Sequence, residues 1–141
     1  MNRRPAAAHL VVALLLGCDA GAPVACHPVR GSVTRDGKPV GEALVVLHPV
    51  VESAALTQKP MAFTDDAGQF AVTTFQRGDG APVGEYRVTV VQRAPKRVGE
   101  EMVREGPNVL PKRFSEPTTS GLTATIIAGD NVLPTIEIPS R

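Results

Sequence analysis

The chain has 141 residues, of which 21% are charged and 43% hydrophobic, and its 15 Lys and Arg nearly balance its 14 Asp and Glu. This near-neutral balance excludes the basic surface of a nucleic-acid-binding protein and the charge excess of a disordered tail, so no nucleic-acid partner is expected. The 13 Gly and 13 Pro exceed the usual combined share of about 12% without reaching low-complexity levels. Length and composition therefore predict one compact, turn-rich domain.

The first 17 residues carry the pattern of an export signal. Arg3 and Arg4 precede an apolar run from Ala6 to Leu16 that only His9 interrupts. This order of basic and apolar zones is typical of a secretory signal peptide. The run is about half of the ~20 residues that a membrane-spanning helix needs, so a permanent span is not expected.

The residues that end this run, Leu15-Leu16-Gly17-Cys18, resemble the lipobox of bacterial lipoproteins. The resemblance implies that residues 1–17 are removed and that Cys18, as the new N-terminus, carries a diacylglycerol on its sulfur. Two or three acyl chains give stable anchoring, whereas one chain gives only marginal binding. The expected partner is therefore a membrane, and the expected location is the periplasmic or extracellular face of the cell envelope.

Two alternatives for Cys18 stay open. It can remain an unmodified thiol after ordinary cleavage, or it can form a disulfide with Cys26, the other cysteine of the chain, in an exported compartment. Removal of residues 1–17 takes away two arginines and leaves 13 basic and 14 acidic residues, a formal charge of about −1. Electrostatic attachment to anionic lipid is therefore not implied, and the acyl group would be the anchor.

Beyond Cys18 the chain has a short tether followed by strand patterns. Residues 18–28 show no periodicity and predict the tether. The clearest strand runs from Glu85 to Gln92, where Tyr86, Val88 and Val90 fall on one face. In all, about seven segments carry strand patterns: 29–34, 43–48, 61–63, 70–72, 85–92, 122–126 and 132–138. They predict an all-β fold, a seven-stranded antiparallel β-sandwich.

Five motifs in this region carry a family resemblance. They are Val29–Val33, Asp36–Pro39, Ala43–Leu47, Thr64–Phe70 and Gly84–Val90. In this order they resemble carboxypeptidase regulatory-like domains, which implies a transthyretin-like sandwich of the broader Ig-like class over residues 29–138. The stretch 110–122 is also similar to a segment of short bacterial lipoproteins built on this domain, where Tyr often stands in place of Phe114. The family implies no particular activity, because a fold does not fix a function.

The segment 94–120 breaks the strand pattern. It holds four prolines and a charged stretch around Glu100, Glu101, Arg104 and Glu105, and a long excursion of this kind in a small domain is often functional. We take it as the candidate binding surface, with Phe114 expected to hold it against the sandwich. Its candidate residues are Arg93, Lys96, Arg97, Lys112, Arg113 and Phe114. The alternative is a solvated, charge-balanced loop without a partner.

Three other features have both a functional and a structural interpretation. Asp65 and Asp66 can offer oxygens to Ca²⁺ but lack the spacing of an EF-hand, which favours a turn. Gly78-Asp79-Gly80 lacks the Lys-Ser or Lys-Thr of a phosphate-binding loop, which favours a flexible turn. His48 can ligate a metal or act as a base, but no partner is evident in the pattern, which favours a structural imidazole. No catalytic residue, metal site or cofactor is expected.

These observations favour a non-catalytic role. The first expectation is a structural or interaction module of the cell envelope, with an envelope protein or a glycan as partner, because no convergent acid, base, nucleophile and metal groups are evident. The second is an accessory domain that binds a small ligand or glycan through segment 94–120. The third is a hydrolase like the transthyretin-related 5-hydroxyisourate hydrolases. That family ends in a Tyr-Arg-Gly-Ser signature that helps to build its active site, whereas this chain ends in Glu137-Ile138-Pro139-Ser140-Arg141. The difference argues against this hydrolase activity.

Overall fold

The computed structural model describes residues 24–140, and these residues form an all-β fold. They contain short strands and one 3₁₀ turn, Lys112–Ser115, with no α-helix in the described range. The strands, in chain order, are β1 Cys26–His27, β2 Val29–Arg35, β3 Lys38–Pro39, β4 Leu44–Pro49, β5 Met61–Phe63, β6 Gln69–Ala71, β7 Ala81–Pro82, β8 Gly84–Val91, β9 Lys96–Val98, β10 Glu101–Val103, β11 Leu122–Ile126, β12 Asn131–Val132 and β13 Ile136–Ile138.

One sheet has four antiparallel strands in the order β11-β8-β4-β5. Its central strand β8 contains the alternation predicted from the sequence. Tyr86, Val88 and Val90 are 3%, 1% and 0% exposed, whereas Glu85 and Arg87 on the other face are exposed. The inward-facing apolar residues of β8 and β4 supply half of the core, because alternate side chains of a strand share one face.

The second sheet is built around β2, and its pairing differs from the prediction. β3 and β6 pair with β2 antiparallel, but β12 and β13 pair with it in parallel. The predicted purely antiparallel sandwich is therefore wrong for this sheet. Alternation indicates which face of a strand is buried but not the direction of its neighbour. After the turn at 127–131, Asn131 donates its backbone N–H to the carbonyl of Pro28, beside the start of β2, and β12 then runs in the same direction as β2.

The predicted count of seven strands is not confirmed. The segment predicted as one strand over 132–138 is divided into β12 and β13, which flank Pro134. In addition, β1 lies inside the predicted tether 18–28 and pairs with β7. This pairing needs Gly80, because a Cβ atom at that position would lie 1.7 Å from the carbonyl oxygen of His27. The first strand of the described residues therefore begins before Val29.

The two sheets pack face to face around a single apolar core. Val33 of β2 and Ile138 of β13 belong to the same cluster of buried side chains as Leu47 of β4 and Val88 of β8. All four are between 0% and 1% exposed. Within residues 24–140, no helix has the length and apolar character needed to cross a membrane.

The sandwich has two distinct ends. We call one of them the N-terminal end, because β2 and β8 both begin there. β1 pairs with β7 at this end, and β4 and β11 finish there. The opposite end holds the last residues of β8 and the hairpin formed by β9 and β10, and we call it the hairpin end. The eight residues of β8 place the two ends about 26 Å apart, at ~3.3 Å per residue.

Candidate functional site

The candidate segment 94–120 is more regular than the sequence pattern indicates. β9 and β10 form an antiparallel hairpin in which Val98 pairs with Glu101 across Gly99 and Glu100. Every residue of this hairpin is exposed except Val103, which is half-buried. Because neither face is buried, the sequence has no apolar alternation there. The turn glycine, Gly99, is the one signal that could have predicted the hairpin.

The structure places the five candidate basic residues on different elements rather than in one cluster. Arg93 lies just beyond β8, where its backbone forms an isolated antiparallel β-bridge with Asn108. Its guanidinium donates to the carbonyl of Gly106 over 3.4 Å. Lys96 and Arg97 lie in β9, and Lys112 and Arg113 lie in the 3₁₀ turn; all five are exposed.

Side chains of the charged stretch contact their neighbours at the hairpin end. Arg104 forms an ion pair with Glu42, which lies two residues before the start of β4 at this end, and also donates to the carbonyl of Arg93 over 3.5 Å. The guanidinium of Arg97 donates to Gly99 within the hairpin over 3.2 Å. Exposed ion pairs of this kind contribute little stability. The charged side chains therefore define a surface more than they stabilise the fold.

Phe114 has a different environment from the other candidate residues. It is 2% exposed and belongs to the apolar core, so it cannot contact a ligand at the surface. The guanidinium of Arg113 lies 4.4 Å from its ring centroid. The turn is closed by Phe114 N–H donating to Pro111 over 3.1 Å and by the Ser115 hydroxyl donating to Lys112 over 2.7 Å. Phe114 thus packs the 3₁₀ turn against the sandwich, as expected for a residue that holds the segment.

A broad groove on the outer face of the β2 sheet was not predicted from the sequence. It has a volume of about 920 Å³ and is lined by outward-facing residues of β2 and β6, by Phe63 of β5 and by residues 132–135. Phe63 is 68% exposed. The hydroxyls of Ser32 and Thr135 lie 2.9 Å apart across the groove floor. Ser32 and Thr135 are 103 positions apart in the chain, so only the folded topology brings these residues together.

Two arginines and a carboxylate also line this groove. Arg30 and Arg77 are exposed, and Asp65 lies near the end of β5. The Asp65 carboxylate accepts the backbone N–H groups of Ala67 and Gln69 over 3.0 and 2.9 Å. It is therefore used to close the turn between β5 and β6, in agreement with the turn interpretation of this motif. Arg30 and Arg77 are the basic groups that line the groove.

The Gly78-Asp79-Gly80 motif forms a turn with its own internal acceptor. The Asp79 carboxylate accepts backbone N–H groups from Thr74, Phe75 and Gln76 at 2.7 to 2.9 Å. Burial raises the pKa of Asp79, but these hydrogen bonds outweigh it and leave that pKa below its ordinary value. The backbone N–H groups of this turn therefore bind the chain's own carboxylate.

His48 and Cys26 are both packed against the fold. His48 Nε2 lies 2.9 Å from the hydroxyl of Thr89 on the neighbouring strand β8. Partial burial, followed by the charge of Lys59, holds the pKa of His48 below its ordinary value. Partial burial and then the charge of Asp79 raise the pKa of the Cys26 thiol. Within residues 24–140, no three His, Cys, Asp or Glu side chains lie close enough together to hold a metal ion.

Comparison with known proteins finds similarity only among solved structures. No family model matches the chain, and no curated protein matches it. The chain is similar to BcpA, the major pilin subunit of Bacillus cereus, with 12% identity and a TM-score of 0.43 over 82% of this chain and 30% of that one. A DUF3823 family protein from Parabacteroides merdae has 15% identity and a TM-score of 0.39, over 79% of this chain and 45% of that one.

A third similar structure comes from Pseudomonas aeruginosa and is described as a candidate carbohydrate binding protein. It has 14% identity and a TM-score of 0.42, over 85% of this chain and 92% of that one. The chain spans less than half the length of the pilin and of the DUF3823 protein. At these identities and scores the comparisons assign neither a family nor a function, and the functional argument depends on the residues of this chain.

Proposed function

We propose that this protein is an exported, lipid-anchored β-sandwich with a non-catalytic structural or interaction role in the cell envelope. Cys18, the proposed site of acylation, lies outside the described residues. The observation that supports the proposal is the position of Val24 in the sandwich. Val24, the first described residue, lies at the N-terminal end of the sandwich and follows Cys18 by only six residues.

This arrangement would orient the domain on a membrane. A lipid on Cys18 places the N-terminal end close to the bilayer, and β8 then carries the hairpin end about 26 Å further from it. The hairpin bears Lys96, Arg97 and the exposed Met102, which is 63% exposed. A charged surface with an apolar residue at its centre suits contact with an envelope protein. The hairpin end is therefore the proposed interaction surface.

The anchor is tested by chemical analysis of the protein purified from its native host. We expect the protein to partition into the detergent phase of a cloud-point separation and to lose this behaviour in Cys18→Ser, whereas the matched Cys26→Ser variant keeps it. Thiol titration in urea then separates the open alternatives. One reactive thiol indicates an acylated Cys18, two indicate unmodified cysteines, and none indicates the Cys18–Cys26 disulfide. Either of the last two results would remove the anchor from the proposal.

The interaction role is tested by capture from native membranes with the acyl group intact. We expect a double variant, Arg97→Glu with Met102→Asp, to lose the partners that the unmodified protein captures. Both side chains are exposed, so the fold should survive the changes. Lys112→Glu, on the 3₁₀ turn, is the matched charge control. Identical partner sets for all three proteins would contradict the role of the hairpin, and turnover in an activity screen would contradict the non-catalytic assignment.

The groove on the β2 sheet supports a second candidate function, the binding of a small ligand or glycan. The exposed ring of Phe63 can stack against the apolar face of a sugar ring, and the arginines and hydroxyls around it can donate hydrogen bonds. Titration with soluble oligosaccharides from the envelope tests this function. Phe63→Ala should abolish binding, whereas Phe75→Ala, which removes a ring 41% exposed outside the groove lining, should preserve it. Equal binding by both variants would exclude the groove.

A further inference from the structure

The N-terminal end of the sandwich carries a concentration of exposed aliphatic side chains. Val50, Val51, Val83 and Ile127 are 50%, 81%, 57% and 61% exposed. We call these four residues the N-terminal apolar patch. Most aliphatic side chains of this size in the fold are buried in the core, so four exposed ones at a single end form an unusual surface.

Strand register explains why these four residues share one end. Ile126 is paired with Gly84, so Ile127 and Val83 lie just beyond the paired ends of β11 and β8. The Val50 N–H donates to the carbonyl of Glu85 over 2.9 Å, which places the end of β4 beside them. Two strands of one sheet, β4 and β11, therefore end where their shared neighbour β8 begins, and the four aliphatic residues lie together at this end.

Val24, the first described residue, lies beside this patch. Val24 lines a groove of about 350 Å³ together with Val51, Leu56 and Val83. Cys18 precedes Val24 by six residues, and a fully extended chain of that length spans only about 20 Å. An acyl group on Cys18 therefore keeps the patch within about 20 Å of the bilayer surface.

The charges around the patch indicate what kind of lipid surface it suits. Glu52, Glu85 and Asp130 are exposed at the same end, each within three residues of a patch residue, and Arg87 is exposed two residues beyond Glu85. Three carboxylates outnumber this one guanidinium, so net attraction to an anionic membrane is not expected to provide the contact. Aliphatic side chains, in contrast, are stabilised by transfer from water into the boundary between headgroups and acyl chains.

We propose that the N-terminal apolar patch docks into the interfacial layer of the bilayer that holds the acyl group, through apolar contact with predominantly zwitterionic lipid. The proposal rests on the proposed lipid anchor and adds a second, weaker contact to it. The anchor alone only keeps the N-terminal end within reach of the bilayer, whereas the patch holds that end against the lipid. The hairpin end is then held outward.

Tryptophan fluorescence tests the docking, because the chain has no Trp of its own. The full acylated protein is made as Val51→Trp and, as the matched control, as Val98→Trp in the hairpin, where the native side chain is 51% exposed. Both are reconstituted into phosphatidylcholine vesicles with and without brominated acyl chains. At an interfacial depth of ~5–10 Å, Val51→Trp should lose about half of its emission to bromine and shift to shorter wavelength. Val98→Trp should do neither.

The same samples separate failure of docking from failure of the anchor. Vesicle flotation reports the anchor: a protein that does not float has no acyl attachment, and the proposed function fails with it. A protein that floats but whose Val51→Trp emission is not quenched by bromine overturns docking alone. A wavelength shift without bromine quenching means that a second copy or another protein covers the patch, which also overturns the proposal. Quenching should persist at high salt, and its loss there would overturn the apolar nature of the contact.

Val83→Trp provides a second position for the same measurement, in case the first substitution disturbs folding. Val83 lies in the same patch and lines the same groove as Val51. We expect bromine quenching at both positions to be similar, since docking brings the whole end into the lipid interface. Quenching at Val51→Trp together with full emission at Val83→Trp would contradict a patch that docks as a unit.

Discussion

Replacing Phe114 by Ala should destabilise the protein far more than the same change at Phe63. Phe114 is 2% exposed and lies in the core, whereas Phe63 is 68% exposed. Removal of a buried Phe side chain costs about 3–5 kcal/mol of unfolding free energy. Phe63 buries about a third of its surface. If the loss scales with the buried apolar area, Phe63→Ala should lower the free energy of unfolding by about 1 kcal/mol.

Urea unfolding followed by circular dichroism measures both losses. With a denaturant dependence of about 2 kcal/mol per molar urea, Phe114→Ala should lower the midpoint by about 2 M and Phe63→Ala by about 0.5 M. Arg113→Ala, which removes only the exposed cation above the Phe114 ring, should cost about 0.5–1 kcal/mol. Equal midpoints for the two Phe variants would refute the assignment of Phe114 to the core and leave segment 94–120 without its attachment.

The remaining predictions concern the backbone at Gly80 and two titratable side chains. Gly80→Ala should lower the free energy of unfolding more than Gly78→Ala, as measured in urea. Both glycines have positive φ, but an added Cβ meets nothing within 4 Å at Gly78 and lies 1.7 Å from a carbonyl oxygen at Gly80. Equal losses of stability would contradict the close approach of β1. Folded His48 has a lowered pKa, so the unfolded chain binds the proton first, and stability should fall as the pH drops from about 6.5 through the lower folded pKa. Unfolding curves at several pH values check this, and His48→Gln should flatten the dependence in that window. The raised pKa of Cys26 lowers the fraction of reactive thiolate at a given pH, so iodoacetamide should alkylate Cys26 more slowly in the folded protein than in urea, as mass spectrometry can measure.

Sequence patterns predicted the strands that have one buried face. β8 and β11 were predicted because their inward residues alternate with polar ones, as Tyr86 and Ala124 do with their neighbours. Turn chemistry at Asp65 was predictable for a similar local reason, since its side chain accepts backbone N–H groups two and four residues along. Burial on one face and local hydrogen bonding both leave a signal in adjacent residues.

Features that depend on distant residues left no such signal. The parallel pairing of β13 with β2 joins positions such as Ile136 and Val33, and alternation is the same whichever way a neighbouring strand runs. The hairpin of β9 and β10 has no buried face, so its sequence shows charges instead of a period. The groove around Phe63 and the grouping of Val83 with Ile127 likewise arise only when the register of the sheets is known.

The parallel pairing of β2 with β12 and β13 also determines when the fold can be completed. Among the described residues, one side of β2 pairs only with residues 131–138, which the ribosome makes about a hundred positions after β2 itself. Bringing such distant segments together is slow, because the entropy of closing the intervening loop opposes it until the contacts form. The emerging polypeptide therefore cannot complete the β2 sheet until its final strands have been made.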